Sequence, residues 1–303
     1  MPSISKLTLA LAAAAPAMAL AGTDIVDPPS QMKQARAAGV CGDDFKCVHI
    51  DTVTTPIPHS GEALILVNSS SVNPSDVDTV ELQGCSRGCG ADVSGVVISC
   101  PNCTTIKPGD AVWTLAQPAY SQYVTTAESV VSLKPTSLDF QEAATIPEVG
   151  LTSFLSLKRT GSLPNTPLPQ GSPWAAGNYT NLTVAITAGS GGTGFIGIQM
   201  AKAWGAKHIF TSTTGEGIDF VKSLGADFVV DYTKGELFDT DVLPDNSVDI
   251  VYDNYGAEGT ADKAMRVLRS GGVYLLMPHG ECYETKSQVC SFVFECLFSV
   301  VTI

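Results

Sequence analysis

Six consecutive residues, Gly189-Ser190-Gly191-Gly192-Thr193-Gly194, offer the clearest chemistry in this chain. An apolar run from Val184 precedes them, and from Phe195 to about Gly205 apolar residues recur at helical spacing. Strand, glycine turn and helix in that order form a dinucleotide-binding fingerprint. Gly189 is expected to let the chain turn, Gly191 to let backbone approach a pyrophosphate, and Gly194 to let helix and strand pack. The helix start then presents unpaired N–H groups and the positive end of its dipole to the phosphates. Roughly twenty residues on, where an NAD site places Asp or Glu against the ribose 2′-hydroxyl, the chain has Thr211-Ser212-Thr213-Thr214. With no carboxylate there to repel a 2′-phosphate, Ser212 and Thr213 favour NADPH. A glycine turn can also be a plain connection, so its reading depends on the elements around it.

Those elements alternate. A strand at Lys207–Ser212, a helix at Glu216–Leu224, strands at Asp227–Asp231 and Val248–Asp253, a helix at Glu258–Leu268 and a strand at Gly272–Met277 predict a parallel sheet covered by helices. From Gln31 to Phe154 the pattern is different: short strands at Ala63–Val67, Val93–Ile98, Ala111–Leu115 and Tyr123–Thr126, punctuated by Pro and Gly, predict a compact β-rich domain. The expected division is a leader at 1–21, a β-rich domain at 22–155, a dinucleotide-binding domain at 156–281 and an atypical tail at 282–303. The fold class is therefore α/β.

The 303 residues are 44% apolar and 16% charged, a globular composition, and a net charge of −13 argues against nucleic-acid binding. Residues 1–21 hold one charge, Lys6, then the run Leu7–Leu20, with Ala19 and Ala21 before Gly22. This predicts a signal peptide and the secretory pathway, with no membrane span. Sequons at Asn68, Asn102, Asn178 and Asn181 fit a glycoprotein, Asn178 being the best placed and Asn68 expected to be inaccessible. Nine cysteines suit an oxidising compartment, with Cys41/Cys47, Cys85/Cys89 and Cys100/Cys103 as local pairs. The alternative for Cys100-Pro101-Asn102-Cys103 is zinc, with Cys85 and Cys89 as the nearby partners.

Several segments in order resemble the medium-chain dehydrogenases/reductases. They are Ser71-Val72-Asn73-Pro74-Ser75-Asp76, Gly90-Ala91-Asp92-Val93-Ser94-Gly95, Lys107-Pro108-Gly109-Asp110, Tyr120-Ser121-Gln122-Tyr123-Val124, Glu142-Ala143-Ala144-Thr145-Ile146-Pro147 and Gly150-Leu151-Thr152-Ser153, followed by the glycine hexad after an inserted loop at 161–177. The resemblance covers roughly residues 31 to 280 and implies a GroES-like domain before a doubly wound Rossmann sheet. Zinc alcohol dehydrogenases of that family carry Cys at the position of Asn73 and Gly-His-Glu at Gly90-Ala91-Asp92. Both replacements remove ligands, so no metal is expected. The Cys100/Cys103 pair also precedes the Pro-Gly-Asp turn, whereas the family's structural zinc cysteines follow it. What remains resembles the zinc-independent quinone oxidoreductases, the zeta-crystallin-like branch.

That resemblance implies an NADPH-dependent enzyme transferring hydride to a small quinone or to the β-carbon of an enone. It points to Asn73 and Thr152 as lining the nicotinamide site and to Tyr232 near the 2′-phosphate. Asn73 also reads as a turn residue before Pro74, Thr152 as a helix-start hydroxyl, and Tyr232 as an exposed strand end. Tyr120 and Tyr123 are proton-donor candidates, although aromatics on strands are more often core. His49, His59, His208 and His279 show no relay or ligand spacing. Two departures stand out: Val77-Asp78 replaces an aromatic common in this branch, and the chain stops at Ile303, so that a shortened C-terminus is expected. The tail Cys282–Ile303 reads either as a substitute edge strand or as the remainder of a truncated or alternative transcript, and an unpaired apolar edge invites aggregation or a homodimer. The alternative function is a non-catalytic NADPH-binding scaffold.

Overall fold

The computed structural model describes residues 27–41, 46–158, 179–277 and 299–302. The expected leader, the loop at 161–177, Asn178, His279 and the cysteines at 282, 290 and 296 lie outside them. Two compact units divide the chain, Met1–Glu148 and Val149–Ile303. The division falls seven residues before the expected boundary, inside a helix that the sequence pattern did not reveal.

In the first unit, β1 (Gln31–Ala37) and β2 (Val48–Thr54) form an antiparallel pair. A five-stranded antiparallel sheet follows, built from β3 (Glu62–Ser69), β4 (Asp92–Ser99), β5 (Ala111–Leu115), β6 (Tyr123–Ala127) and β7 (Ser132–Leu133) in the order β6-β3-β4-β5-β7. Ala63, Ile65, Val93, Val97, Val112 and Val124 point to one core, as the period-two alternation requires. Gly95 is needed where β4 crosses β3, because a Cβ there would lie 2.1 Å from the Leu66 carbonyl oxygen. Between β3 and β4 stands helix α1 (Pro74–Leu82), with Pro at its first position and Asn73 as its N-cap. Helix α2 (Phe140–Ala144) begins at Asp139, whose carboxylate accepts from the Glu142 N–H at 2.7 Å.

The second unit carries β8 (Thr183–Ile186), β9 (His208–Thr213), β10 (Phe228–Asp231), β11 (Val248–Asp253), β12 (Leu268–Leu276) and β13 (Ser299–Thr302). Their order is β10-β9-β8-β11-β12-β13, the first five parallel and β13 antiparallel to β12. This is the doubly wound order, reversing direction of growth between β8 and β11. Helix α3 (Pro147–Lys158) leads in, α4 (Gly192–Ala203) joins β8 to β9, α5 (Gly217–Ser223) joins β9 to β10, and α6 (Thr260–Val267) joins β11 to β12. β11 is buried at every position, as befits a central parallel strand covered on both faces. Ile186, Ile198, Ile209 and Ile250 are fully buried on one face, each worth roughly 1.5–3 kcal/mol of transfer free energy. Gly197 lets α4 approach the Tyr252 ring, since a Cβ there would stand 3.1 Å from it.

The expected α/β architecture, a β-rich unit followed by a doubly wound parallel sheet, is what the chain adopts. All three expected cysteine pairs are disulfides: Cys41–Cys47, Cys85–Cys89 and Cys100–Cys103. Asn68 is exposed at the end of β3, against the expectation that it is inaccessible. Among the described residues no helix is long and apolar enough to cross a membrane.

Candidate functional site

The glycine hexad sits between β8 and α4, at the C-terminal edge of the parallel strands. Its glycines have different reasons to be glycine. The left-handed conformation of the turn falls on Ala188, with φ of 50°, rather than on Gly189. Gly189 is required by packing instead: a Cβ there would stand 2.0 Å from Thr211 Oγ1, which bonds the Ile186 carbonyl at 2.7 Å. Gly194 brings α4 onto the turn, where a Cβ would lie 2.2 Å from the Ala188 oxygen. Gly191 differs from both. Its φ of −74° and ψ of 165° suit any residue, and an added Cβ would meet nothing of the protein closer than the Ala188 oxygen at 3.2 Å. The bare backbone at Gly191 is therefore not demanded by the fold, and it faces solvent at the head of α4.

Around this turn the strand ends supply hydroxyls. Ser190 Oγ and Thr213 Oγ1 share a hydrogen bond of 2.7 Å, and the Ala188 N–H reaches Ser212 Oγ at 3.4 Å. The hexad, Ser212 and Thr213 thus come together. Tyr232 follows on the next strand end, its N–H bonded to the Thr213 carbonyl at 3.2 Å and its side chain 60% exposed. Asp231 is a carboxylate beside these hydroxyls. It accepts from Thr214 Oγ1 at 2.9 Å and Thr233 Oγ1 at 2.7 Å and pairs with Lys234 at 2.9 Å. These donors, Thr233 first, hold its pKa well below the usual carboxylate range.

Sequence reasoning missed Asn254, one residue past β11. Asp253 anchors this strand end by accepting from Thr187 Oγ1 at 2.7 Å, Tyr274 Oη at 2.8 Å and the Tyr255 and Gly256 N–H groups. Asn254 then donates its N–H to Thr187 Oγ1 and its Nδ2 to the Thr187 carbonyl, locking the amide against the glycine turn. Its Oδ1 is buried with no hydrogen-bond partner, and the residue is only 7% exposed. A buried acceptor without a donor costs about 1–3 kcal/mol. It stands where β8 and β11 part, the switch point at which doubly wound sheets bind ligands. The orphaned acceptor and the uncommitted backbone of Gly191 both fit a dinucleotide. The position of Asn254, just after Asp253 at a strand end, was the signal that could have identified it.

In the first unit, Asn73 belongs to a buried acidic network. Its Nδ2 donates to Asp92 Oδ2 at 2.7 Å and its N–H to Asp76 at 2.9 Å. Asp92 also accepts from Ser71 Oγ and, at 2.7 Å, from the Glu148 N–H, while Glu148 accepts from Ser75 Oγ. Tyr120 Oη lies 2.8 Å from Asp76 Oδ2 and 3.0 Å from the Ser71 carbonyl. Burial pushes all three carboxyls above their ordinary values, with Asp92 repelling both Asp76 and Glu148 in addition. Burial beside Asp76 drives the Tyr120 hydroxyl far upward, so it is committed to the network as a donor. Tyr123 opens β6, half-buried, its hydroxyl raised by burial. Thr152 lies buried on α3, its carbonyl accepting from Ser156 Oγ at 2.7 Å. At Asn73, Ala91 and Asp92 the donor set is an amide, a methyl and one carboxylate already accepting three hydrogen bonds, which does not fit zinc.

Comparison with known proteins places the chain in a family. The family profile described as "Zinc-binding dehydrogenase" matches residues 192–288, within the nucleotide-binding unit and away from the positions just described. The chain is 31% identical over 247 residues to the Bos taurus NAD(P)H oxidoreductase RTN4IP1, mitochondrial, covering 73% of this chain and 59% of that protein. It is 30% identical over 292 residues to the Arabidopsis thaliana NADPH-dependent alkenal/one oxidoreductase, chloroplastic, covering 89% and 69%. Among solved structures, the quinone oxidoreductase from Coxiella burnetii superposes with a TM-score of 0.66 at 26% identity, covering 80% of this chain and 74% of that one. The chain thus spans about six-tenths of the length of the bovine relative. The expected secretory localisation is overturned: these relatives are mitochondrial and chloroplastic proteins, and the glycoprotein reading loses its premise with it. An apolar leader alone does not separate export from organelle targeting. With both units of the fold matched by relatives of this kind, the chain belongs to the medium-chain dehydrogenase/reductase superfamily, in its zinc-independent, quinone-oxidoreductase-like branch.

Proposed function

We propose that this chain is an NADPH-dependent oxidoreductase that passes hydride to a quinone or to the β-carbon of an α,β-unsaturated carbonyl without a catalytic metal. The observation that carries the proposal is the orphaned Asn254 Oδ1 beside the glycine turn. It awaits a hydroxyl or amide donor, which the sugar or carboxamide of a nicotinamide nucleotide has. Gly191 offers bare backbone, and the start of α4 offers N–H groups and dipole to a diphosphate. The Ser190–Thr213 hydroxyl pair stands where an NAD site carries a carboxylate, and Lys234 neutralises Asp231 nearby. Tyr232, Ser212 and Thr213 suit a 2′-phosphate as hydrogen-bond donors.

When bound, the nicotinamide supplies the hydride. The protein's share is to hold its partners in place. Asp253 and Thr187 fix Asn254, and Asp92 fixes the Asn73 amide. The reduced substrate then takes its proton from water or a hydroxyl, Tyr123 being the remaining tyrosine candidate because Tyr120 is bound to Asp76. The names of the relatives support the substrate class. The test is NADPH oxidation in the presence of small enals, enones and quinones. Turnover above the blank with NADPH preferred over NADH is expected, and absence of turnover with all three classes overturns the enzymatic reading. One observation favours the scaffold alternative: Asn73 is 5% exposed and bonded to Asp92 and Asp76. NADPH binding with no turnover is the outcome that selects it.

A further inference from the structure

A cavity of about 250 Å³ in the first unit is lined by the Cys85–Cys89 bridge and the loop it closes, together with Asp76, Thr79, Val80 and Gln117. We propose that Cys85–Cys89 is a thiol–disulfide exchange site for dithiols, and that its redox state sets the order of this cavity's wall. The inference stands apart from the proposed activity.

Three observations place this bridge at a control point. The cavity gives a route to a pair of cysteines that are otherwise 7% and 5% exposed. Its loop is bonded on both sides to the acidic network's support. The Tyr120 N–H donates to the Cys89 carbonyl at 2.8 Å, and the Cys89 N–H to the Ala35 carbonyl at 3.1 Å. Gly90 must be glycine to admit the Tyr120 ring, and that tyrosine holds Asp76. Arg87 lies between the two cysteines, a positive charge that favours an incoming thiolate and a departing one. By contrast, Cys100–Cys103 spans the exposed turn at Pro101 and Asn102 and lines no part of this cavity.

In the exchange, a thiolate of the dithiol attacks one sulfur, forming a mixed disulfide and releasing the other cysteine as a thiolate. The dithiol's second thiolate then displaces the first cysteine. Two electrons and two protons pass to the protein, which holds two thiols, and the dithiol leaves as its disulfide.

The experiment treats the full chain with graded dithiothreitol, traps thiols by alkylation, and follows peptide mass and amide hydrogen exchange. Reduction of Cys85–Cys89 should raise exchange at Ser86 to Cys89 and at Tyr120 by on the order of twentyfold, the loss expected from releasing so short a closed loop. Reoxidation should restore it, and peptides of β8 and β9 should not change. Cys100→Ser with Cys103→Ser should keep the response. Cys85→Ser with Cys89→Ser should show the faster exchange without reductant; if that variant does not fold, the reversible response of the unsubstituted chain decides. The proposal fails if Cys85–Cys89 stays oxidised where Cys100–Cys103 is reduced, or if its reduction leaves exchange at Tyr120 unchanged.

Discussion

Gly191 separates what the fold needs from what a ligand needs, and Gly191→Ala tests that separation. At this position the backbone already has φ and ψ that alanine accepts, and the nearest protein atom to a new Cβ is the Ala188 oxygen at 3.2 Å. The turn must yield by a few tenths of an ångström. Against that, alanine restricts the unfolded chain and stabilises by about 0.4–1 kcal/mol. The two nearly cancel, so folding stability should stay within about 1 kcal/mol of the original. Gly194→Ala is the control: its Cβ would press on the Ala188 oxygen at 2.2 Å and Gly189 Cα at 2.9 Å, both backbone. Overpacking of that kind costs about 1–3 kcal/mol, and in a unit of this size each kcal/mol lowers Tm by roughly 2–4 °C. In NADPH titrations followed by protein fluorescence, Gly191→Ala should bind at least about tenfold more weakly, or 1.4 kcal/mol, with its melt nearly unmoved. An unchanged NADPH affinity, or a melt lowered as far as that of Gly194→Ala, refutes the assignment of Gly191 to the cofactor.

Thr213→Asp places a carboxylate at the end of β9, and at about 5 Å from a doubly charged phosphate this costs on the order of 1–2 kcal/mol. NADPH affinity should fall roughly five- to thirtyfold in the same titration while NADH affinity holds. Asn254→Ala removes an orphaned acceptor together with one hydrogen bond, so Tm should move little, whereas NADPH should bind about tenfold more weakly; equal binding would show that Oδ1 serves no ligand. Burial raises Asp76, Asp92 and Glu148, so in the folded state they take up protons more readily than in the unfolded chain. From the unfolded carboxylate value of about 4 up through the raised folded values, the first unit therefore loses stability as pH rises. Asp231, depressed in the second unit, works in the opposite sense and is lost only as pH falls below the ordinary range. Amide protection of β3 and β4, corrected for intrinsic exchange, should be greater near pH 5 than near pH 7.5.

How legible the chain is depends on whether its burial follows its polarity. β5 at Ala111–Leu115 and β11 at Val248–Asp253 fall where the apolar pattern puts them, one alternating and one continuous. β1 is missed because polar Gln34 is among its buried residues and stands next to buried Ala35, which breaks the alternation. α1 is missed because a nine-residue helix that buries only Asp76 and Val80 has almost no apolar face. The Asn73–Asp76 spacing was its one signal, a capping pair followed by Pro74. The helix expected through Leu268 stops at Val267, since Leu268 is already drawn into β12 against Val248. The turn of the hexad was readable, although the chain turns through a left-handed Ala188, one residue before the glycine expected to allow it.

The acidic network was illegible for another reason: Asp76, Asp92, Tyr120 and Glu148 are spread over more than seventy positions and meet only in the folded unit. Its arrangement explains how the fold accommodates a carboxylate that no metal neutralises. Asp92 is wholly buried, and an unpaired charge there would be prohibitive. Asn73 meets part of that need, because an amide in place of a thiolate contributes a donor, and Ser71 Oγ and the Glu148 N–H supply the others. The amide at position 73 and the acid at 92 therefore act as one unit. Restoring cysteine at 73 alone would remove a donor from a buried carboxylate without supplying the cation to balance it.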